Sequence, residues 1–377
     1  MIKPPFIFGE PVDGINFIDR DPELKHLTDN FRKGINSIII SPRKLGKTSL
    51  IKKASSLVKK DGNIKIVYLD MFSCRNETDF YREFANSVIT QCLSDTNDRL
   101  EFSRSFLSRL APQINLGTDS SETSLSFAVK PLRKNMEDIL VLPEKIAMIK
   151  DFRIVVCIDE FQQTGDFPDS WNFQKELRSL WNQRENVTYC LAGCKTTLMH
   201  QMFENRKSPL YSFGDVSDLS RINDKNWVDY ITQRFKITSK YIYEEHAARI
   251  CNLVEHYSSY VQQLAWLVWI NTEGFTSEEV IEESYEELIR HCSPLFQQQT
   301  MNLTSYQMNF LKSIVAGYGE SVSGQDTIAK FELGSSANVC RIKESLTRQE
   351  LIESMGKKVV IPDPVFREWI KRQLLHT

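Results

Sequence analysis

The chain has 377 residues, 41% apolar and 25% charged, with a formal net charge of -2 at pH 7. This is ample for two or three domains with a sizeable core, and the composition is that of an ordinary globular protein, not a disordered or fibrous one. The eight cysteines are scattered without a C-x-x-C pair, and neither a basic-then-apolar leader nor a bilayer-length apolar run is present, so zinc, disulfide-framework and membrane classes are set aside and a soluble cytoplasmic protein is expected.

Residues 1–34 contain Phe17-Ile18-Asp19-Arg20 and then a helical pattern with Leu24, Leu27 and Phe31 on one face. Asp21 before Pro22 suits an N-cap with proline at the first helical position. An apolar run over 35–40 predicts a strand, and the residues from Leu50 onward predict a helix. Between them stand Ser41, Pro42, Arg43, Lys44, Leu45, Gly46, Lys47, Thr48 and Ser49. Strand, loop and helix in that order is the context of a phosphate-binding loop, so all nine residues are candidates for holding a nucleotide. Successive backbone N–H groups wrap the phosphates at the positive end of a helix. Gly46 lets the backbone approach closely, Lys47 reaches the β- and γ-phosphates, and the Thr48 hydroxyl can ligate Mg²⁺. Ser41 stands where the first glycine of the G-x-x-x-x-G-K-[ST] pattern is usual, so the loop must enter without left-handed freedom there. Lys47 is expected to serve the phosphates and to contribute little to the core.

Residues 64–71 predict a second strand, and 78–93 a helix with Phe80, Phe84, Val88 and Ile89 inward. The stretch 112–130 is rich in Ser, Thr and Gly and carries a short alternating segment, 125–129, that reads as a strand or hairpin. A helix is predicted from Met136 to Lys150. The β-branched run over 152–158 is that of a buried central strand, a helix follows at 172–185, and 187–193 predicts a fourth strand. Alternating strands and helices predict a doubly wound α/β domain with a parallel sheet. Asp159 and Glu160 end the third strand and so emerge at the carboxyl edge, where ligands bind in such sheets. There Asp159 can hold Mg²⁺ and Glu160 can polarise an attacking water.

From about Ile222 the pattern is helical only. Trp227, Tyr230, Ile231 and Phe235 share a face, as do Ala247, Ile250, Leu253 and Val254, and then Leu264, Leu267 and Val268. Over 222–298 twelve acidic side chains stand against six basic ones, which reads as solvated helix faces. Residues 297–300 read as a linker. Beyond them come helices at 305–315 and 325–331, a third that begins near Ser335 with Val339, Ile342 and Leu346 inward, and a hairpin turning at Gly356. Three helices and a two-stranded wing describe a winged helix. The domain division is therefore 1–221, 222–298 and 299–377. Over 299–377 ten basic residues meet eight acidic ones, and Arg341, Lys343 and Arg348 are interleaved with Glu344. That charge leaves DNA and a protein partner both open for the winged helix.

These residues resemble the archaeal-type AAA ATPases of prokaryotes, relatives of the STAND signalling ATPases and of the origin-recognition ATPases. The resemblance runs over nearly the whole chain. It is carried by Phe17-Ile18-Asp19-Arg20, the loop from Pro42 to Leu50, Ile158-Asp159-Glu160-Phe161-Gln162, Ala192-Gly193-Cys194-Lys195, Ser208-Pro209-Leu210-Tyr211, Gln262-Gln263-Leu264 and Asp363-Pro364-Val365-Phe366-Arg367-Glu368-Trp369. It implies a P-loop NTPase sheet of the additional-strand, catalytic-glutamate class, then an all-α lid and a winged helix. It implies ATP and Mg²⁺ as ligands, ADP as product, and a regulatory ATPase switch whose turnover is slow or stimulated by a partner or a second copy. An alternative is a winged-helix DNA-binding protein holding ATP with little turnover. Cys194 stands where relatives carry a serine as γ-phosphate sensor; a thiol is a weak donor, so sensing passes to Lys195 or Thr196 or is weak. His256-Tyr257-Ser258-Ser259-Tyr260 stands in place of a Gly-x-Pro motif of the lid. Asp19 replaces a glycine before Arg20. Arg206 is the candidate arginine finger, with Arg178 and Arg184 read as surface ion pairs.

Overall fold

The computed structural model describes residues 4–93, 136–182, 184–194 and 196–375. The stretch 112–130, with its alternating segment, lies outside the described residues. The chain forms two compact units, Pro11–Ser220 and a second that joins the residues before Pro11 to those from Arg221 onward.

The first unit is a five-stranded parallel sheet of β1 (Ser37–Ile40), β2 (Ile64–Asp70), β3 (Arg153–Asp159), β4 (Val187–Gly193) and β5 (Asp215–Asp218), in the order β2-β3-β4-β1-β5. One strand, β4, separates the strand that feeds the phosphate-binding loop from the strand that ends in Asp159, the arrangement of the additional-strand class. Successive strand side chains point to opposite faces. Ile154, Val156 and Ile158 therefore enter one core with Phe80, Phe84 and Trp181, while Val155 and Cys157 enter the other with Leu50, Ile51 and Ala54. The helices α1 (Asp21–Lys33) and α2 (Lys47–Lys59) cover the second face, and α3 (Glu77–Cys92), α4 (Met136–Leu140), α5 (Leu142–Lys150), α6 (Ser170–Trp181) and α7 (Thr196–Phe203) belong to the first. Phe80, Phe84, Val88 and Ile89 are all buried, as the period predicts. Helix α1 begins one residue earlier than expected: Arg20 is the N-cap, and Asp21 and Pro22 are its first residues.

The second unit contains α8 (Asp224–Lys236), α9 (Glu244–Leu253), α10 (Ser258–Asn271) and α11 (Glu278–Thr300), then α12 (Ser305–Ser313), α13 (Gln325–Lys330), α14 (Ser336–Arg348), the hairpin β6 (Glu353–Met355) and β7 (Lys358–Val360), and α15 (Pro364–Leu375). Phe6 packs with Tyr230 and Phe235, so the N-terminal segment groups with these helices. The expected linker over 297–300 is helical. Its glutamines are the solvent side of α11, whose other side buries Phe296 and Thr300; Phe296 meets Phe366 and Trp369 at ring-centre distances of 5.2 and 5.8 Å. Val339, Ile342 and Leu346 are the buried side of α14, and the hairpin turns through Gly356 at φ 62°. Among the described residues no helix is long and apolar enough to cross a membrane.

Candidate nucleotide-binding site

Residues 41–49 connect the buried end of β1 to the first turn of α2. The left-handed conformations in this loop belong to Lys44 (φ 68°) and Gly46 (φ 96°), not to Ser41. The missing glycine at position 41 is thus accommodated because the loop makes its tight turns later. Ser41 instead donates its N–H to the Gly193 carbonyl (3.2 Å), which ties the loop entry to the end of β4. At Gly46 a side chain would meet no atom within 4 Å, so glycine is required there by backbone angle, and the space beside it is open. Gly46 begins α2 without a side-chain cap, which leaves the positive end of a 13-residue helix to be complemented by an anion.

Lys47 is 7% exposed, and its Nζ lies 2.5 Å from Asp159 Oδ1 and 4.0 Å from Glu160 Oε1. The Thr48 hydroxyl donates to Asp159 Oδ2 at 2.9 Å. Asp159 Oδ1 also accepts from the Glu160 N–H at 2.9 Å. The expectation that Lys47 has little to do with the folded core is therefore corrected: this buried ammonium is the counter-charge of the strand-end carboxylates. Thr48 and Asp159 present hard oxygens side by side, the donor type Mg²⁺ selects, and Lys47 supplies the charge a phosphate chain requires. The donor set, the uncapped helix and the open space at Gly46 together fit a magnesium nucleotide.

Glu160 adopts the left-handed conformation (φ 54°), uncommon for a residue with a side chain. Its Oε2 accepts from the Gln162 side-chain amide and lies 3.1 Å from the Cys194 thiol and 3.9 Å from Arg43 Nη2. Cys194 is buried, with Arg43 Nε 3.4 Å from its sulfur, so this thiol faces the carboxylate of Glu160. Lys195 lies outside the described residues.

Two contributors are not singled out by sequence reasoning. Gln162 is fully buried, and Gly193 makes its seat: a β-carbon there would fall 2.6 Å from Gln162 Oε1 and 2.5 Å from Met199 Sδ. Arg20 is 5% exposed and donates to the Leu45 carbonyl at 3.4 Å and to the Ser220 carbonyl at 2.6 Å, bracing the loop from beneath. The available signal for both was their place inside the runs carrying the family resemblance. Among the described residues the exposed side chain of Arg206 makes no hydrogen bond or ion pair. Among the described residues neither Arg178 nor Arg184, expected as surface ion pairs, forms one. Arg178 lies over the Phe213 ring at 5.6 Å, where burial lowers its pKa, and Arg184 donates to the Leu180 carbonyl at 2.7 Å.

Comparison with known proteins agrees with this fold. Residues 45–165 match the KAP family P-loop domain, and residues 294–372 match a probable winged helix domain. No curated protein matches the sequence. Among solved structures, the Walker-type ATPase PABY2304 of Pyrococcus abyssi is similar over 97% of this chain and 99% of its own, at 14% identity and a TM-score of 0.65. The ORC2 protein of Aeropyrum pernix, solved as ADPNP–ADP complexes, is similar over 96% of this chain and 97% of its own, at 12% identity and a TM-score of 0.54. The ORC1 protein of the same organism, solved in complex with DNA, is similar over 95% of this chain and 93% of its own, at 12% identity and a TM-score of 0.53.

Proposed function

The chain carries the fold of an archaeal-type P-loop ATPase with a C-terminal winged helix, and from that premise we propose that it is a Mg²⁺-dependent, ATP-hydrolysing switch. The observation that carries this reading is the meeting of Lys47, Thr48 and Asp159 at the loop, with Glu160 beside them and offset from the Lys47 ammonium. In it, the N–H groups of residues 43–49 and the Lys47 ammonium hold the phosphates of ATP, and Thr48 and Asp159 would hold the metal. Bound Mg²⁺ would supply neutralisation of the phosphate charge. Glu160 takes the proton of the attacking water and orients its lone pair toward the terminal phosphate. Arg206 is our candidate for an arginine donated to the site of a second copy or of a partner's complex, a role its exposure permits.

The domain roles follow, with the expected first division of 1–221 trimmed at both ends: the Pro11–Ser220 unit binds and hydrolyses nucleotide, and residues 222–298 and 299–377 report its state as lid and winged helix. Duplex DNA is the second reading for the winged helix. It is favoured by the exposure of Arg341 and Arg348 on α14 together with Lys357 and Lys358 on the hairpin. The known DNA complex of ORC1 adds support by likeness of fold.

Glu160→Gln tests the proposal. It keeps size and hydrogen bonding and removes the base, so the single-turnover rate of ATP hydrolysis falls by ~10²–10⁴-fold while ATP binding persists. Hydrolysis at the wild-type rate in this variant refutes the role of Glu160. ATP retained by the wild type without turnover in any condition, including with duplex DNA, favours the reading of ATP as a held ligand.

A further inference from the structure

Gln162 lies two residues beyond Glu160, yet its side chain turns back and is fully buried between the ends of β3 and β4. A buried primary amide must satisfy both its carbonyl and its two N–H groups. Here Oε1 accepts from the Cys194 backbone N–H at 3.2 Å. That backbone donor can face only a carbonyl, so the orientation of the amide is fixed by the network and Nε2 must point the other way. Nε2 donates to Glu160 Oε2 and lies 3.1 Å from Cys194 Sγ. The thiol lies 3.1 Å from the same Oε2. Gly193 admits the arrangement because any side chain there would strike Gln162 Oε1.

The two oxygens of Glu160 therefore have different surroundings. Oε2 is held by Gln162 and Cys194 at the end of β4, whereas Oε1 is the oxygen on the Lys47 side, 4.0 Å from Nζ. We infer that Gln162 is the positioning residue of the site: by fastening Oε2 to the end of β4, it presents Oε1 as the proton-accepting oxygen toward the phosphates. The inference rests on the reading of Glu160 as the base. It deepens that reading by explaining how a carboxylate on a left-handed residue at a strand end keeps one direction. Cys194 thereby acts as a second fastener of the carboxylate.

Gln162→Glu is the discriminating change. It retains an acceptor for the Cys194 N–H but sets a carboxyl group against Glu160 Oε2. The two groups then repel or share a proton, and in both cases the base is displaced or capped. The single-turnover rate falls by about 10–100-fold, the usual effect of removing an orienting partner, while ATP affinity is unchanged because Lys47 and Thr48 are intact. In a Glu160→Gln background the same change costs nothing further, because the group it orients is already gone. A readout free of turnover accompanies it: in nucleotide-free protein, Gln162→Met accelerates hydrogen exchange of the Cys194 amide, whereas Gln162→Glu preserves its protection.

An equal loss of rate from Gln162→Glu in both backgrounds means a purely structural role and overturns the inference. So does wild-type turnover in Gln162→Glu when Glu160→Gln is inactive, and so does an unchanged Cys194 exchange rate in Gln162→Met. By contrast, a fully active Glu160→Gln overturns the base assignment itself, and the positioning role falls with it. Absence of wild-type turnover has the same consequence.

Discussion

Replacing Lys47 with methionine in nucleotide-free protein removes an ammonium that is almost wholly buried, with Asp159 Oδ1 2.5 Å away and Glu160 Oε1 4.0 Å away. The gross attraction to Asp159 is about 7 kcal/mol at an effective dielectric near 20. The net effect is smaller, because the charge also loses hydration on burial. Breaking a buried pair by removing one partner costs about 3–5 kcal/mol, and the Asp159 side chain, 22% exposed, recovers some water, so about 3 kcal/mol is the appropriate figure. For a unit of this size each kcal/mol moves the melting point by about 2–4 °C, so Lys47→Met lowers the melting point of the Pro11–Ser220 unit by ~6–12 °C. Adding Asp159→Asn removes the stranded charge and restores most of that loss, since the two changes act on one contact. ATP binding, followed by fluorescence titration, is lost in both variants, so stability and binding separate. A single variant that melts with the wild type, or a double variant no more stable than the single, refutes the role of Lys47 as internal counter-charge.

Burial alone raises the Glu353 carboxyl above its usual pKa. A raised folded value means the neutral form is favoured by the fold; the stability it contributes is complete below the unfolded pKa and is lost as pH rises through the folded one. Glu353→Gln therefore raises the melting point at neutral pH and leaves it unchanged near pH ~3.5, below the ordinary glutamate value; equal melting at both pH values contradicts this. If the winged helix binds duplex DNA as proposed, Arg341→Glu combined with Lys358→Glu weakens binding and reduces the slope of log affinity against log salt by about 2, one unit per phosphate contact. Unchanged affinity and slope in that variant remove these residues from any DNA contact.

The parts of the fold legible in the sequence are those whose pattern is local. The run over 152–158 can satisfy its apolar side chains only inside a sheet covered on both faces, and β3 occupies that place. The helices from Asp224 onward follow their 3.6-residue period, with Trp227, Tyr230, Ile231 and Phe235 buried together. Strand β5 was not legible. Its four residues are Asp215, Val216, Ser217 and Asp218, held by main-chain pairing with β1 and by a hydrogen bond from the Asn30 amide to Asp215 at 2.9 Å, and with Val216 as the one apolar residue they leave no apolar pattern. Likewise, three consecutive glutamines at 297–299 look like a linker in one dimension. Their helix becomes apparent only when Phe296 and Thr300 are seen buried on the opposite side. For the site, the strand–loop–helix order placed Lys47 and Thr48, and the strand end placed Asp159 and Glu160. Gln162 could not be placed that way, because its seat exists only where the end of β4 meets the end of β3.

Residues 255–260 form a fastened junction within the second unit. Glu255 and His256 form a left-handed turn, φ 47° and 58°, that leads into α10. The turn and the helix start are fastened to the lead-in of α15: the Tyr257 hydroxyl donates to the Pro362 carbonyl at 2.8 Å, the Tyr260 hydroxyl donates to Asp363 Oδ2 at 2.7 Å, and Glu255 pairs with Arg367. Burial pushes the phenol pKa of both tyrosines up, and the Asp363 charge adds to the effect at Tyr260, so both hydroxyls remain donors throughout the physiological range. Further along, Trp369 donates to the Ser293 hydroxyl at 3.0 Å, which joins α15 to α11. Hinge motion needs a few backbone positions with few contacts crossing them, and this junction carries hydrogen bonds and an ion pair instead. The helices over 222–298 and the winged helix are therefore fastened together at this junction, so a displacement of α10 is passed to α15 rather than absorbed by a hinge there.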